Sequence, residues 1–176
     1  MPEHAGTLPA PALRIRPALA ADAEFFAALY RSTRTDLLAM LADRRYIEGL
    51  IATAWQAQLA SYRERYPDAL YQALELDGVA AGRLVTALVA DALRVVDIAV
   101  MPWARGRGVA GETLRRLQRQ AVQEGRDLTL AVRPDNAGAR RLYAAHGFVA
   151  QGEGGAVLEL RWRAPGAAAP LGLPPA

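Results

Sequence analysis

An apolar run, LRVVDIAV from Leu93 to Val100, gives way to the glycine-rich stretch PWARGRGVAGETL, Pro102 to Leu114, and then to an arginine-bearing segment that stops at Gly125. Strand, turn and helix in that order commit the chain to an arrangement in which a helix folds back over a sheet. In the helical segment Leu114, Leu117 and Ala121 fall on one face, while Arg115, Arg116 and Arg119 face away. At such a junction the turn's backbone N–H groups and the helix's first unsatisfied N–H groups converge, and the helix dipole adds positive character there. Gly106, Gly108 and Gly111 carry no Cβ atoms that would block an anion. Taken alone, the junction is either an anion cradle or a tight turn with no ligand.

The flanking pattern predicts the rest of the domain. LRIRPA, from Leu13 to Ala18, reads as a short strand ended by Pro17. Asp22 is placed to cap a helix carrying Phe25, Phe26, Leu29 and Tyr30 at helical spacing. A second helical region from about Asp43 to Tyr66 carries a stripe of Tyr46, Leu50, Ile51, Trp55, Leu59 and Tyr62, closed by Pro67 and Asp68. Two strands come before LRVVDIAV: ALYQALEL, ending at the hairpin signal Asp77-Gly78, and VAAGRLVTALV, ending at a break at Ala90-Asp91. Beyond the glycine turn and its helix, LTLAVR reads as a buried strand and DNAGARRLYAAHG as a helix stopped by Gly147. FVAQGE and AVLELRW read as a closing hairpin around Gly154-Gly155. The order is β-α-α-β-β-β-α-β-α-β-β, a mixed α/β fold of antiparallel strands followed by one βαβ crossover. One domain is expected over residues 12–163, with proline-rich flexible tails at 1–11 and 164–176.

Composition narrows the chemistry. With 52% hydrophobic and 22% charged residues, the chain of 176 suits one globular domain. Cysteine is absent, which excludes disulfides, a thiolate nucleophile and cysteine-held zinc. The histidines are His4 and His146 alone, so no metal is expected. Group transfer without a cysteine intermediate points to direct passage from donor to acceptor. No apolar run approaches the roughly 18 residues that a membrane span needs. The start, MPEHAGTLPAPALRI, has neither a basic nor an apolar signal region, so the expected location is the cytoplasm. All 21 basic side chains are arginine, and the first 92 residues carry a net charge of −2 against +5 for the remainder. GC-rich coding explains much of that bias. A polyanion met by the second half is the functional alternative.

Two phosphate-loop spellings overlap in the turn. GRGVAG spells G-x-G-x-x-G, the dinucleotide fingerprint, while RGRGVA spells R-x-x-G-x-A. The first wants an acid about 20 residues on, where this chain has Ala131, Val132 and Arg133. An arginine could take a 2′-phosphate, so topology weighs more: the loop follows three meandering strands, with too little chain left for a doubly wound sheet. A kinase-type glycine loop joins two strands, whereas here a helix follows. The second spelling has company. It stands in order with a strand ending V-x-P (Val100 to Pro102) and with N-x-x-A-x-x-L-Y-x-x-x-G-F (Asn136 to Phe148). This ordered set resembles the GNAT superfamily of N-acetyltransferases, which use acetyl-coenzyme A, and the resemblance covers roughly residues 12–163.

The resemblance implies a mostly antiparallel twisted sheet of 6–7 strands with about four helices, splayed between the fourth and fifth strands to admit the pantetheine arm. It implies that Ile98 and Val100 lend backbone groups to that arm. The backbone of Arg105, Gly106, Arg107, Gly108, Val109, Ala110 and Gly111 would cradle the pyrophosphate, with Arg105 and Arg107 adding charge-assisted bonds. Asn136 would contact the cofactor, although asparagine is also a good helix N-cap. Ala139 would keep the following helix close. Tyr143 would protonate the departing thiolate. Asp97, a carboxylate among apolar neighbours, needs a partner or a wet cleft. It is read as the group that accepts the acceptor amine's proton, or otherwise as the partner of Arg94 or Arg83. His146 suits a helix C-terminus. The acceptor is expected to be a small-molecule, peptide or protein amine, shaped by the region from Arg31 to Tyr46 and the closing hairpin. The alternatives are an acyl-coenzyme A-binding sensor of the same shape and, less favoured, a basic nucleic-acid module. A homodimer is compatible with the family.

Overall fold

Asp77 and Gly78 both adopt positive φ, 53° and 81°, the geometry of a two-residue hairpin turn whose twist matches its strands. They join β2 (Leu70–Leu76) to β3 (Val79–Val89), and a second reversal, with Ala90 at φ 51°, leads into β4 (Ala92–Val100). The computed structural model describes residues 12–152 and 155–166. The other strands are β1 (Leu13–Pro17), β5 (Asp127–Val132), β6 (Val149–Ala150) and β7 (Leu158–Trp162). All seven form one sheet of order β1-β2-β3-β4-β5-β7-β6. Every neighbouring pair is antiparallel except β4 and β5, whose parallel pairing is the crossover expected from the sequence.

The described residues form five α-helices: α1 (Ala23–Thr33), α2 (Thr35–Leu38), α3 (Arg44–Arg65), α4 (Val109–Glu124) and α5 (Ala137–Ala145). The one beyond the sequence expectation is α2, a single short turn. Two separate apolar clusters show that the helices lie on opposite faces. One joins Leu114, Leu117 and Ala121 of α4 and Tyr143 of α5 to Leu74, Leu84, Val95, Leu128 and Leu130 of the sheet. The other joins Phe26 and Tyr30 of α1 to Ile47, Ile51 and Trp55 of α3 over Ala73. Leu114 and Leu128 are fully buried, and each contributes about 2 kcal/mol of burial.

Two local expectations need correction. The buried ridge of α3 is Ile47, Ile51 and Trp55, while Tyr46 is 59% exposed. Positions four apart make one straight ridge on a helix, and Tyr46 lies off it, beside the cap where Asp43 accepts from the N–H groups of Arg45 and Tyr46. Asp22 does not cap α1 with its side chain. It reaches back instead, accepting from the Leu19 N–H at 2.7 Å and from both terminal nitrogens of Arg16 at 2.7 and 2.8 Å. Arg16 also donates its Nε–H to Glu75 at 2.6 Å, which ties β1 to the start of α1 and to β2. Of the expected tails, 1–11 and 167–176 lie outside the described residues, as does Gly154 of the closing turn. Ala164, beyond the expected boundary at 163, is buried and donates its N–H to Asp127 at 3.0 Å.

Candidate active site

The sheet opens in the middle of β4. Val85 of β3 stands opposite Asp97 and Thr86 opposite Val95, so Val96 is an extra residue, a β-bulge. The parallel pairing with β5 runs from Ala92↔Asp127 to Val95↔Leu130 and stops there. From Val96 to Val100 the β5 side of β4 has no strand partner among the described residues, although β5 runs on to Val132. That is the splay expected between the fourth and fifth strands. An unpaired strand edge of this kind can bond an extended ligand as if it were one more strand. Ile98 and Val100 both lie on it. The Val100 carbonyl accepts the Nε–H of Arg105 at 3.0 Å, which ties this edge to the turn that follows.

The open edge leads straight to the glycine turn. After a 3-10 turn at Pro102–Ala104, Gly106 and Gly108 take φ of 74° and 81°, and α4 starts at Val109. The N–H groups of Val109, Ala110 and Gly111 have no carbonyl one turn back inside the helix. Arg105 and Arg107 donate their N–H groups only over long bonds of 3.3 and 3.4 Å. A row of weakly engaged donors therefore surrounds the helix start, fit to hold a phosphate. An added Cβ at Gly106 or Gly108 would meet nothing within 4 Å, so their positive φ is what demands glycine. Gly111 differs: its Cβ would lie 3.3 Å from His146 Nε2, so its bareness serves the packing of α4 against the end of α5.

The arginines divide by partner. Arg107 donates to Asp77 at 3.3 Å and lies over the Trp103 ring at 5.9 Å. Arg115, Arg116 and Arg119 all bond Glu112 at 3.0–3.3 Å and hold its carboxyl down at about 2. Arg94 pairs with Glu159, Arg133 with Asp135 and Arg161 with Asp127. Most arginines of the second half thus face a carboxylate. Arg105, which makes no ion pair among the described residues, is left beside the turn.

On the α5 side, Asn136 caps the helix, its Oδ1 accepting from the Ala139 N–H at 3.0 Å. Its amide NH₂ makes no hydrogen bond among the described residues, so capping and ligand contact are compatible. Ala139 packs against the core cluster. Tyr143 is 7% exposed, with its ring edge-on to Phe148 at 5.8 Å. Burial first, and the Asp97 charge second, push its phenol up to about 12, so it stays protonated across the neutral range. His146 is pushed down by burial and by Arg115, and its carbonyl accepts from Gln118.

Asp97 lies one residue past the bulge, on the face covered by α1 and α3. Its Oδ2 accepts from Arg83 Nε at 2.9 Å and from Arg83 Nη2 at 2.6 Å. Of the two partners considered from sequence, Arg83 is therefore the one present. Arg83 is 2% exposed and lies over the rings of Trp55, at 4.5 Å, and Phe26, at 5.7 Å. The sequence carried the signal for this pair: one lone charge in VAAGRLVTALV and one lone acid in LRVVDIAV, adjacent and mostly apolar strands. The bulge at Val96 had no such signal. Just past β5, Arg133 feels the charges of Asp36 and Arg34 at the start of α2. Leu38, Met40 and Leu41 follow it and are exposed. Between α1 and α3 runs an apolar groove of about 1010 Å³, floored by Phe26, Trp55 and Tyr71. The described helices contain none long and apolar enough to cross a membrane.

Comparisons with known proteins agree with this geometry. By structure the chain is similar to the PaiA N-acetyltransferase from Thermoplasma acidophilum in complex with coenzyme A, with a TM-score of 0.66, 16% identity, and 86% and 99% of the two chains covered. It is also similar to the ribosomal-protein-S18-alanine N-acetyltransferase from Escherichia coli (TM-score 0.58, 21% identity, 92% and 99% covered). A third is the ribosomal-protein-S5-alanine acetyltransferase from Vibrio fischeri (0.59, 15%, 89% and 96%). At these identities the likeness speaks for the fold. A search of curated protein sequences gives no match. The sequence model of the acetyltransferase (GNAT) family matches residues 27–148, well over half of the chain. With the open β4 edge, the glycine turn and that match together, the chain belongs to the GNAT acetyltransferase family.

Proposed function

We propose that the protein is an N-acetyltransferase that moves an acetyl group from acetyl-coenzyme A to a primary amine by direct attack in a ternary complex. The observation that carries this reading is the continuity of two features: an unpaired β4 edge from Val96 onward, ending in a turn of weakly engaged amides at Arg105–Gly111. An extended amide chain joined to a diphosphate fits that shape. Backbone of Ile98 and Val100 binds the pantetheine arm, and the amides from Arg105 to Gly111 bind the pyrophosphate. The Asn136 amide and the close helix at Ala139 complete the seat. Tyr143 holds its proton at neutral pH, and it donates a hydrogen bond to the sulfur as negative charge develops there. Asp97 holds the incoming ammonium and, directly or through water, takes its proton. No step requires a metal ion.

The acceptor is a primary amine on a small molecule, a peptide or a protein. Two structural neighbours are named for acetylating alanine on ribosomal proteins, which puts protein α-amines on the panel to be tried. The proposed setting is the cytoplasm, with residues 12–163 as one catalytic domain. Thermal unfolding with acetyl-coenzyme A, NADPH and ATP in parallel tests the cofactor. Ligand at about 100 times its Kd adds roughly 2.7 kcal/mol, on the order of 5–10 °C for a domain of this size. A rise with NADPH alone refutes the assignment. Coenzyme A release with a panel of amines tests the transfer itself.

A further inference from the structure

Arg83 is the largest fully buried side chain in the described protein, and it lies in the interior of a central strand. It spends two of its donors, Nε and Nη2, on a single oxygen of Asp97, while its Nη1 is buried with no partner. Asp97 Oδ1 receives no hydrogen bond among the described residues, and the Asp97 side chain keeps 18% exposure. The pair is thus lopsided: one carboxylate oxygen is held twice and the other is left open.

Stability alone gives a poor account of that geometry. A buried ion pair gains little over well-packed apolar side chains, and an unsatisfied buried N–H adds a cost. Placement gives a better one. The terminal torsion of an aspartate is broad, so a free Asp97 would swing its oxygens over a wide arc. The guanidinium that grips it is itself held over the Trp55 and Phe26 rings, and two donors on one oxygen fix that oxygen and with it the rotation of the carboxylate. The clamp connects the acceptor-side helices to the residue next to the Val96 bulge, where the sheet opens.

We infer that Arg83 is a positioning residue: by gripping Oδ2 of Asp97 from the aromatic wall of α1 and α3, it fixes Oδ1 as the single oxygen offered to the acceptor amine. This rests on the proposed acetyl transfer and deepens it. Arg83 acts through Asp97 and touches neither substrate. Removing it loosens the carboxylate and leaves the glycine turn, which is bounded by other residues, intact.

A double-mutant cycle with R83Q, D97N and R83Q/D97N tests this, with R83K as the conservative variant. Coenzyme A release is measured with acetyl-coenzyme A and the best acceptor among putrescine, alanine amide, serine amide and an alanine-initiated peptide. R83Q is expected to lower kcat/KM for the amine about 10- to 100-fold, the scale of a misplaced reacting group. In the D97N background the same change is expected to cost less than about twofold, because its target is gone. KM for acetyl-coenzyme A and the thermal rise it produces stay as in the unaltered protein. R83K, which keeps the charge and loses the fork, recovers part of the loss. Equal losses in both backgrounds, or no loss in either, overturn the inference. Should R83Q fail to fold, the cycle is run with R83K, whose loss must likewise vanish in the D97N background. If the unaltered protein acetylates none of these amines, the transfer reading itself falls; an active protein with an additive cycle refutes only the role of Arg83.

Discussion

Gly108 and Gly111 belong to the same sequence motif and are glycine for different physical reasons, so replacing each with alanine should have unequal effects. Gly108 is the residue before α4, with φ 81° and ψ 1°, and an added Cβ there would meet nothing within 4 Å. The cost of Gly108→Ala is therefore conformational. A left-handed alanine costs roughly 1–2 kcal/mol, offset by about 0.4–1 kcal/mol from a stiffer unfolded chain. The net is a loss of about 1 kcal/mol, or about 2–4 °C for a domain of this size. Gly111 is already helical, and exchanging helical glycine for alanine gains about 1 kcal/mol. Its new Cβ would stand 3.3 Å from His146 Nε2 and 3.8 Å from Arg115 Nη1, both side-chain atoms with room to yield by a few tenths of an ångström. Gly111→Ala should therefore unfold within a degree or two of the parent, on either side. Thermal melts of the three proteins decide the matter. If Gly111→Ala is the less stable variant, His146 and Arg115 do not yield, and close packing rather than left-handed backbone is the stricter demand for glycine here. Adding acetyl-coenzyme A extends the test: Gly111→Ala keeps its N–H and should keep the ligand-induced rise. If a bulky Gly108→Val also keeps the full rise, the turn is not the phosphate cradle.

Two further outcomes follow from groups with shifted protonation. Tyr143→Phe should lower kcat about 10- to 100-fold with little change in KM for acetyl-coenzyme A, as steady-state kinetics would show; an unchanged kcat removes Tyr143 from the transfer step. Asp22 is held down at about 2 by Arg16 and the Leu19 N–H, against an ordinary value of 3.8. A depressed carboxyl contributes stability that is fully present above its unfolded value and is lost as pH falls through the folded one, so this contribution of up to about 2 kcal/mol fades between pH 4 and pH 2. Asp22→Asn should cost that much at pH 7 and almost nothing near pH 2 in denaturant titrations. Equal costs at both pH values would mean that the Arg16 pair contributes no linkage.

Much of the fold could be read locally. The Asp77-Gly78 hairpin, the ridge of Leu114, Leu117 and Ala121 and the strand–turn–helix junction each depend on residues within a few positions of one another. Three features could not be read this way. Asp22 looked like a cap and is a tie to Arg16, whose side chain is also held by Glu75 of β2, far away in sequence. Tyr46 looked like a core residue, yet the ridge of α3 is set by the helix's rotation against α1 and the sheet. Gly111 reads locally as one more glycine of the turn, and its close neighbour, His146, arrives from the end of α5, more than thirty residues away in sequence.

For the site, the sequence by itself determined the chemical inventory: an amide-rich turn at a helix start, a tyrosine and an asparagine on the next helix, a lone acid in an apolar strand, and no cysteine. The reason is that short-range spacing fixes backbone geometry, and composition fixes which reactions are open. Only the tertiary structure decided which arginine holds Asp97, where the sheet parts and which carboxylate oxygen stays free. Those follow from strand register, and a single extra residue at Val96 resets which groups stand opposite one another and ends the pairing with β5. Register is a sum of many weak contacts across the whole sheet, so no single stretch of the chain contains it.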